Sequence, residues 1–149
     1  MKISNGKEIM ITSTGWTIKS KGGFEAVLLT DRVRRYVQAS RCREGCVNLF
    51  YRHTTGSIII TEYEIGIMAD LKDLLNSICD KNRPFKHHLR GVDRNGHSHM
   101  WSVMLSPSAA VTVPFSGGEL LLGEYQEIVM IDMQDGANPR EIIAQLVGF

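Results

Sequence analysis

A chain of 149 residues with 43% hydrophobic and 22% charged side chains can bury a core without disulfide or metal staples. Its unbroken apolar runs, such as Ile128 to Ile131, are far too short to span a bilayer. The formal charge is +1, so no global field draws in nucleic acid or a membrane surface. The N-terminal "MKISNGKEIM" lacks the apolar core of a signal peptide. Cys42, Cys46 and Cys79 show no recurring spacing, and the first two do not form C-x-x-C, so they read as free thiols in a reducing compartment. The expectation is a cytoplasmic protein of one domain, 1–149, with neither nucleic acid nor membrane as partner.

In chain order, "KEIMITS" and "GWTIKS" read as extended, with a Thr-Gly break between them. "LLTDRVRRYVQAS" reads as a helix with Thr30 at its N-cap and Val33, Tyr36 and Val37 at helical spacing. "CVNLFYRH" and "SIIITEYE" are β-rich and separated only by "TTG", which predicts an antiparallel hairpin. "GIMADLKDLLNSICD" puts Ile67, Leu71, Leu74, Leu75 and Ile78 on one helical face, and Pro84 bars any continuation. "HMWSVML", "AAVTVPF", "GELLLG", "EIVMIDM" and "EIIAQLVGF" then read as strands, with turns at "FSGGEL" and "QDGANP". Two helices and about eight strands give an α+β fold of mostly antiparallel, sandwich-like sheets. Its edge strands favour closure or self-association.

Four of the five histidines fall between His87 and His99. Histidine serves both as a proton shuttle near neutral pH and as a metal ligand. On a strand, His97 and His99 would share a face with Trp101, Val103 and Leu105, running from a polar mouth into a core. His87 and His88 are adjacent and diverge in an extended segment, so at most one of them joins that pair. The same stretch holds Lys81, Arg83, Lys86, Arg90 and Arg94 against Asp93 alone, a local +4 that leaves −3 on the remainder. This reads either as a solvated loop or as a funnel for a small anion, and its overlap with the histidines favours the funnel. His53 ends the strand "VNLFYRH" on the parity of Val47, Leu49 and Tyr51, surrounded by Thr54, Thr55 and Ser57. Glu62 is its carboxylate partner in sequence. Across a "TTGS" hairpin, however, it would lie roughly 13 Å away at ~3.3 Å per residue. Glu62 therefore either helps start the following helix or serves a site shared between subunits. Walker, G-x-G-x-x-G, H-E-x-x-H and G-x-S-x-G motifs are absent.

The order of segments resembles the YjbQ family. "HTTGSIIITE" is similar to its H-T-S-A-x-L-x-I-N-E stretch, and "NGHSH" to its N-x-x-A/S-H motif. "SPS…VTVPFSGGELLLGEYQEIVMIDMQDGANPRE" matches the S-x-x-I-P-x-x-x-G-x-L-x-L-G-T-W-Q-x-I…D…P-R ending. The likeness spans about residues 30–147. It departs from the pattern at Thr61 and Tyr63, where the family favours Asn on both sides of the acid, and at "GEY" in place of Gly-Thr-Trp. The resemblance implies a small α+β fold and a homotrimer. It also implies a label often given to the family, secondary thiamine-phosphate synthase, joining hydroxymethylpyrimidine diphosphate to thiazole phosphate. It nominates His53, Glu62, Asn95, His99, Ser108, Gln126 and Arg140, with the family's aromatic-x-His histidine falling on His87 or His88.

The expectation is a trimer whose histidine-rich pocket binds or acts on a small phosphorylated anion. His53, His99 and Glu62 carry the chemistry, and Asn95, Arg140, Arg90, Gln126 and Ser108 hold the ligand. The alternative is a zinc-like divalent metal on His88 (or His87), His97 and His99, joined or not by His53 across a subunit interface, in a hydrolase or in a non-catalytic metal- or anion-binding trimer.

Overall fold

A computed structural model describes residues 8–105 and 109–149. Two antiparallel sheets carry the fold. The larger has the strand order β1 (Met10–Ser20), β8 (Asn138–Gly148), β3 (Glu44–Tyr51), β5 (Ala110–Ser116) and β6 (Glu119–Leu120). The smaller has β2 (Glu25–Leu28), β7 (Glu127–Asp132) and β4 (Gly56–Thr61). The helices are α1 (Thr30–Ser40), α2 (Ile65–Ile78) and α3 (Gly96–Leu105), with a 3₁₀ turn at Lys86–Arg90. None of the described helices is long and apolar enough to cross a membrane.

The α+β class and the antiparallel sheets agree with the sequence reading, and the layering explains why some runs alternate and others do not. The inward face of the large sheet, with Val47, Leu49, Val113, Ile142, Ala144 and Leu146, packs on Ile58, Ile128 and Met130 of the small sheet. The opposite face of the small sheet, at Val129 and Ile131, is covered by Leu75 of α2 and Trp101 of α3. Strand β7 is therefore buried on both faces, so it is continuously apolar from Ile128 to Ile131, between Glu127 and Asp132. Strands β3 and β8 have one buried face and keep the period-two pattern.

Four readings need correction. The two runs expected as separate are one continuous strand over Met10–Ser20, β1, paired residue for residue with β8 across Gly15. Strands β3 and β4 do not form a hairpin. Both edges of β3 are already paired, with β5 and β8, and "HTTG" crosses from one sheet to the other, so that β4 pairs with β7. Thr30 is the first residue of α1 rather than its cap, and its Oγ1 accepts from the Ile128 N–H at 2.9 Å. The largest correction is α3, expected as a strand, which raises the helix count to three. Its buried residues are Gly96, His97, Ser98, Trp101 and Ser102, a helical stripe disguised by its serines. Ser98 Oγ donates to the Met133 carbonyl, Ser102 Oγ to the Gly56 carbonyl, and Trp101 Nε1 to the Cys79 carbonyl, at 2.7, 2.7 and 2.9 Å. Val103, expected inside, is 64% exposed.

Helix α2 packs through Met68, Leu71 and Leu75, while Leu74 and Ile78 of the expected face remain exposed. Glu64, not Glu62, caps it, accepting the N–H groups of Gly66 and Ile67 at 2.8 and 2.9 Å.

The two sheets are joined by a buried ion pair: Arg140 Nε of β8 donates to Asp132 Oδ2 of β7 at 2.8 Å. Removing one partner of such a pair strands the other charge in the interior. Arg140→Ala is expected to cost about 3–5 kcal/mol in urea denaturation. Glu141→Ala, which breaks the exposed pair with Arg52, is expected to cost less than about 1 kcal/mol. Equal losses would contradict the assignment.

Candidate functional site

The end of β7, the start of β4, the start of α3 and the 85–95 segment meet at one end of the small sheet. Register brings them there, because Gly56 of β4 is paired with Asp132 of β7. Gly56 has no room for a side chain, since a Cβ would lie 2.6 Å from the Tyr51 hydroxyl and 2.5 Å from the Ile131 carbonyl oxygen.

A hydrogen-bond chain runs outward from the ion pair. Asp132 Oδ1 accepts from the Gln134 N–H at 3.1 Å. The Gln134 side-chain oxygen accepts from Asn95 Nδ2 at 2.9 Å. Asn95 Oδ1 then lies 3.1 Å from His87 Nε2, which is also 2.8 Å from Asp93 Oδ1. A carboxylate only accepts, so His87 Nε2 carries the proton, and in the neutral ring Nδ1 holds the lone pair. The His87 and His99 ring centres are 4.8 Å apart. His99 Nδ1 lies 3.1 Å from the Thr54 carbonyl oxygen. A carbonyl also only accepts, so His99 is the Nδ1–H tautomer with its lone pair on Nε2.

His53 follows β3 on the predicted parity, with its ring 5.1 Å from that of Tyr51. Its Nε2 accepts the Glu141 N–H at 2.8 Å. Burial, followed by the nearby Arg140 charge, lowers its pKa below the ordinary histidine value. Tyr51 Oη and Arg140 Nη2 are buried without a hydrogen-bond partner. Burial, reinforced by Asp132, pushes the Tyr51 hydroxyl above the ordinary phenol range.

The helical conformation of 96–105 separates the two histidines expected on one strand face. His99 reaches the site, whereas His97 turns inward and is 1% exposed. The His97 ring lies 4.9 Å from Trp101, and its Nε2 lies 3.2 Å from Ser98 Oγ. Of the adjacent pair, His87 meets His99. His88 packs on Phe85 at 5.2 Å, and its Nε2 accepts the Gly96 N–H at 3.3 Å. His88, His97 and His99 thus face three different surroundings. Among the described residues, no three His, Cys, Asp or Glu side chains are grouped to hold a metal ion.

Beside the histidines lies a cleft of about 590 Å³ whose lining includes Lys81, Arg83, Phe85, His88, Leu89 and Arg94, with no carboxylate. Its wall at His88 is 6.4 Å from His87, ring centre to ring centre. Arg90 is exposed and does not line it. Glu62 and Gln126 lie at the other end of the small sheet, where Thr61 pairs with Glu127. Glu62 is exposed, and the Gln126 side chain accepts the Gly123 N–H at 2.8 Å. The structure brings His53, His99, Asn95 and Arg140 to one end and leaves these two apart from them. Ser108 lies outside the described residues. Sequence reasoning missed Asp132 and Gln134, whose only signal is the polar ending of an otherwise apolar strand.

Fold and site together define a two-sheet α+β protein with a histidine cluster at one end of its small sheet. The chain belongs to the UPF0047 protein YjbQ-like family, whose profile matches residues 14–149. A UPF0047 protein of Archaeoglobus fulgidus is 30% identical over 129 residues, 87% of this chain and 96% of that protein. One of Mycobacterium bovis is 36% identical over 115 residues, covering 77% and 84%. The crystal structure of a YbjQ-like protein of unknown function from Sulfolobus solfataricus superposes with a TM-score of 0.88 at 26% identity, over 95% of this chain and all of that one. A hypothetical protein from Aeropyrum pernix gives 0.84 at 25% identity, over 93% and 99%.

Burial lowers the His97 pKa from 6.5, against the opposing pull of Asp135, and His53 moves the same way. The folded chain therefore holds both rings neutral, whereas the unfolded chain takes up protons below about pH 6.5. Stability from this source is complete above that pH and is lost as pH falls toward the lowered folded values. The urea midpoint should be flat above about pH 7 and fall between pH 6.5 and 5. The fall should be shallower in His97→Leu. An unchanged slope in the variant would contradict this.

Proposed function

We propose that this protein binds and acts on a small phosphorylated metabolite. In this reading the cation-lined cleft holds the anion, and the His87–His99 pair beside it presents two nitrogen lone pairs to the chemistry, as bases or as metal ligands. The observation that supports it best is the oriented pair itself. Each ring is fixed through one nitrogen, by Asp93 or by the Thr54 carbonyl, beside a cleft lined by Lys81, Arg83 and Arg94. Charge-assisted bonds from guanidinium groups suit phosphoryl oxygens.

Thiamine-phosphate synthesis, the activity label that the resemblance carries, is compatible with an anion cleft but lacks a further requirement. Departure of diphosphate calls for Mg²⁺ on oxygen ligands. The carboxylates near the site are already engaged: Asp93 with His87, Asp132 with Arg140 and Asp135 with Lys81. A phosphate ester as ligand, without diphosphate loss, is the reading these contacts favour.

We also propose self-association, with the trimer implied by the resemblance as its form. Leu74, Ile78, Met100, Val103 and Met104 are exposed apolar side chains on α2 and α3, which supports burial against another copy. A trimer is one route by which Glu62 and Gln126 of one copy could reach the histidines of the next.

Calorimetric titration with inorganic phosphate and with a simple sugar phosphate tests the ligand class. In chelator-treated protein, Arg94→Ala should weaken binding at least tenfold and make it less salt-dependent, while His99→Ala should change it less than about threefold. Binding indifferent to Arg94, or no tighter than that of chloride, would contradict the reading.

A further inference from the structure

The two site imidazoles are arranged as metal ligands usually are. A ligating histidine normally donates its second ring N–H to a carboxylate or a backbone carbonyl, which fixes the tautomer and makes the first nitrogen a better donor. His87 gives its Nε2 proton to Asp93, and His99 gives its Nδ1 proton to the Thr54 carbonyl. The two remaining nitrogens, His87 Nδ1 and His99 Nε2, have no protein partner among the described residues. Spacing adds a second, independent argument. Two imidazoles bound to one zinc ion at about 2.1 Å each, at a tetrahedral angle, set their ring centres roughly 5 Å apart. The observed separation is 4.8 Å, with the rings inclined at 62°.

We infer that His87 and His99 hold a divalent transition metal ion of the zinc type, through His87 Nδ1 and His99 Nε2. This narrows the expected set of His88 (or His87), His97 and His99 to His87 and His99. His88 Nε2 is engaged by the Gly96 N–H, and His97 is buried against Trp101. Imidazole suits zinc, copper and nickel rather than magnesium or calcium. Two protein ligands leave positions open for water and for a phosphoryl oxygen of an anion in the neighbouring cleft. The inference rests on the proposed function for the identity of that anion, but not for the metal itself.

The test uses the full chain, stripped with chelator and titrated with Zn²⁺ alone, with Cu²⁺ electron paramagnetic resonance as a second readout. Wild type should take up one ion per chain and show two nitrogen couplings. His87→Ala and His99→Ala should each weaken uptake at least tenfold, whereas His88→Ala should leave it within about twofold. Asp93→Asn, which keeps the ring but removes the charge behind it, should cost about tenfold. Circular dichroism and melting temperature check that each variant is folded. Zinc uptake equal in wild type and a folded His87→Ala/His99→Ala double variant overturns the inference, as does uptake lost with His88. Phosphate binding is measured on the same stripped chain. If phosphate binds and zinc does not, the metal inference fails alone. If zinc binds and phosphate does not, the anion reading fails alone.

Discussion

The structure depends on the buried pair of Arg140 and Asp132. Both charges are almost fully inside, on neighbouring strands of different sheets. An apolar pair of similar volume would join the sheets as well or better, so stability does not explain its presence. Direction does. Asp132 has two oxygens, one taken by Arg140 and the other by the Gln134 N–H, and that second bond fixes the chain where it leaves β7. Leu or Met at 132 could not do this.

From that point the geometry of the site follows by short steps. Gln134 holds Asn95, Asn95 touches His87, and Asp93 completes the hold on the ring. On the other side, Gly56 pairs with Asp132, and the chain just before it presents the Thr54 carbonyl to His99. Both imidazoles are thus oriented from the same sheet end, although one sits on a 3₁₀ turn and the other on α3. Groups held by sheet-anchored partners meet the demand for positioning better than groups on free loops.

The sequence made some of this legible and hid the rest for physical reasons. Period-two alternation revealed β3 and β8 because each has a single buried face. It also placed His53 with Tyr51 correctly. The same rule misread α3, where buried Ser98 and Ser102 interrupt the apolar stripe and leave an accidental alternation of His97, His99, Trp101 and Val103. The β3–β4 link looked like a hairpin because "TTG" is short. A short link can equally turn a corner between layers, and only the pairing of β4 with β7 separates the two. The basic run at 81–94 was visible as charge, but its division into a cleft wall (His88, Arg94) and a histidine mount (His87, Asp93) depends on the local backbone. Asp132 and Gln134 showed only as the polar ending of an apolar strand, because their role lies in what they connect.

The central claim is that the site fixes which nitrogen of each imidazole carries the proton. Long-range ¹H–¹⁵N correlation of the histidine rings at pH 7.5, assigned by single His→Gln variants, reads this directly. The expected result is His99 protonated on Nδ1 with an unprotonated Nε2, and His87 protonated on Nε2 with an unprotonated Nδ1. Finding His99 with its proton on Nε2, or both rings exchanging between tautomers as free imidazole does, would contradict it.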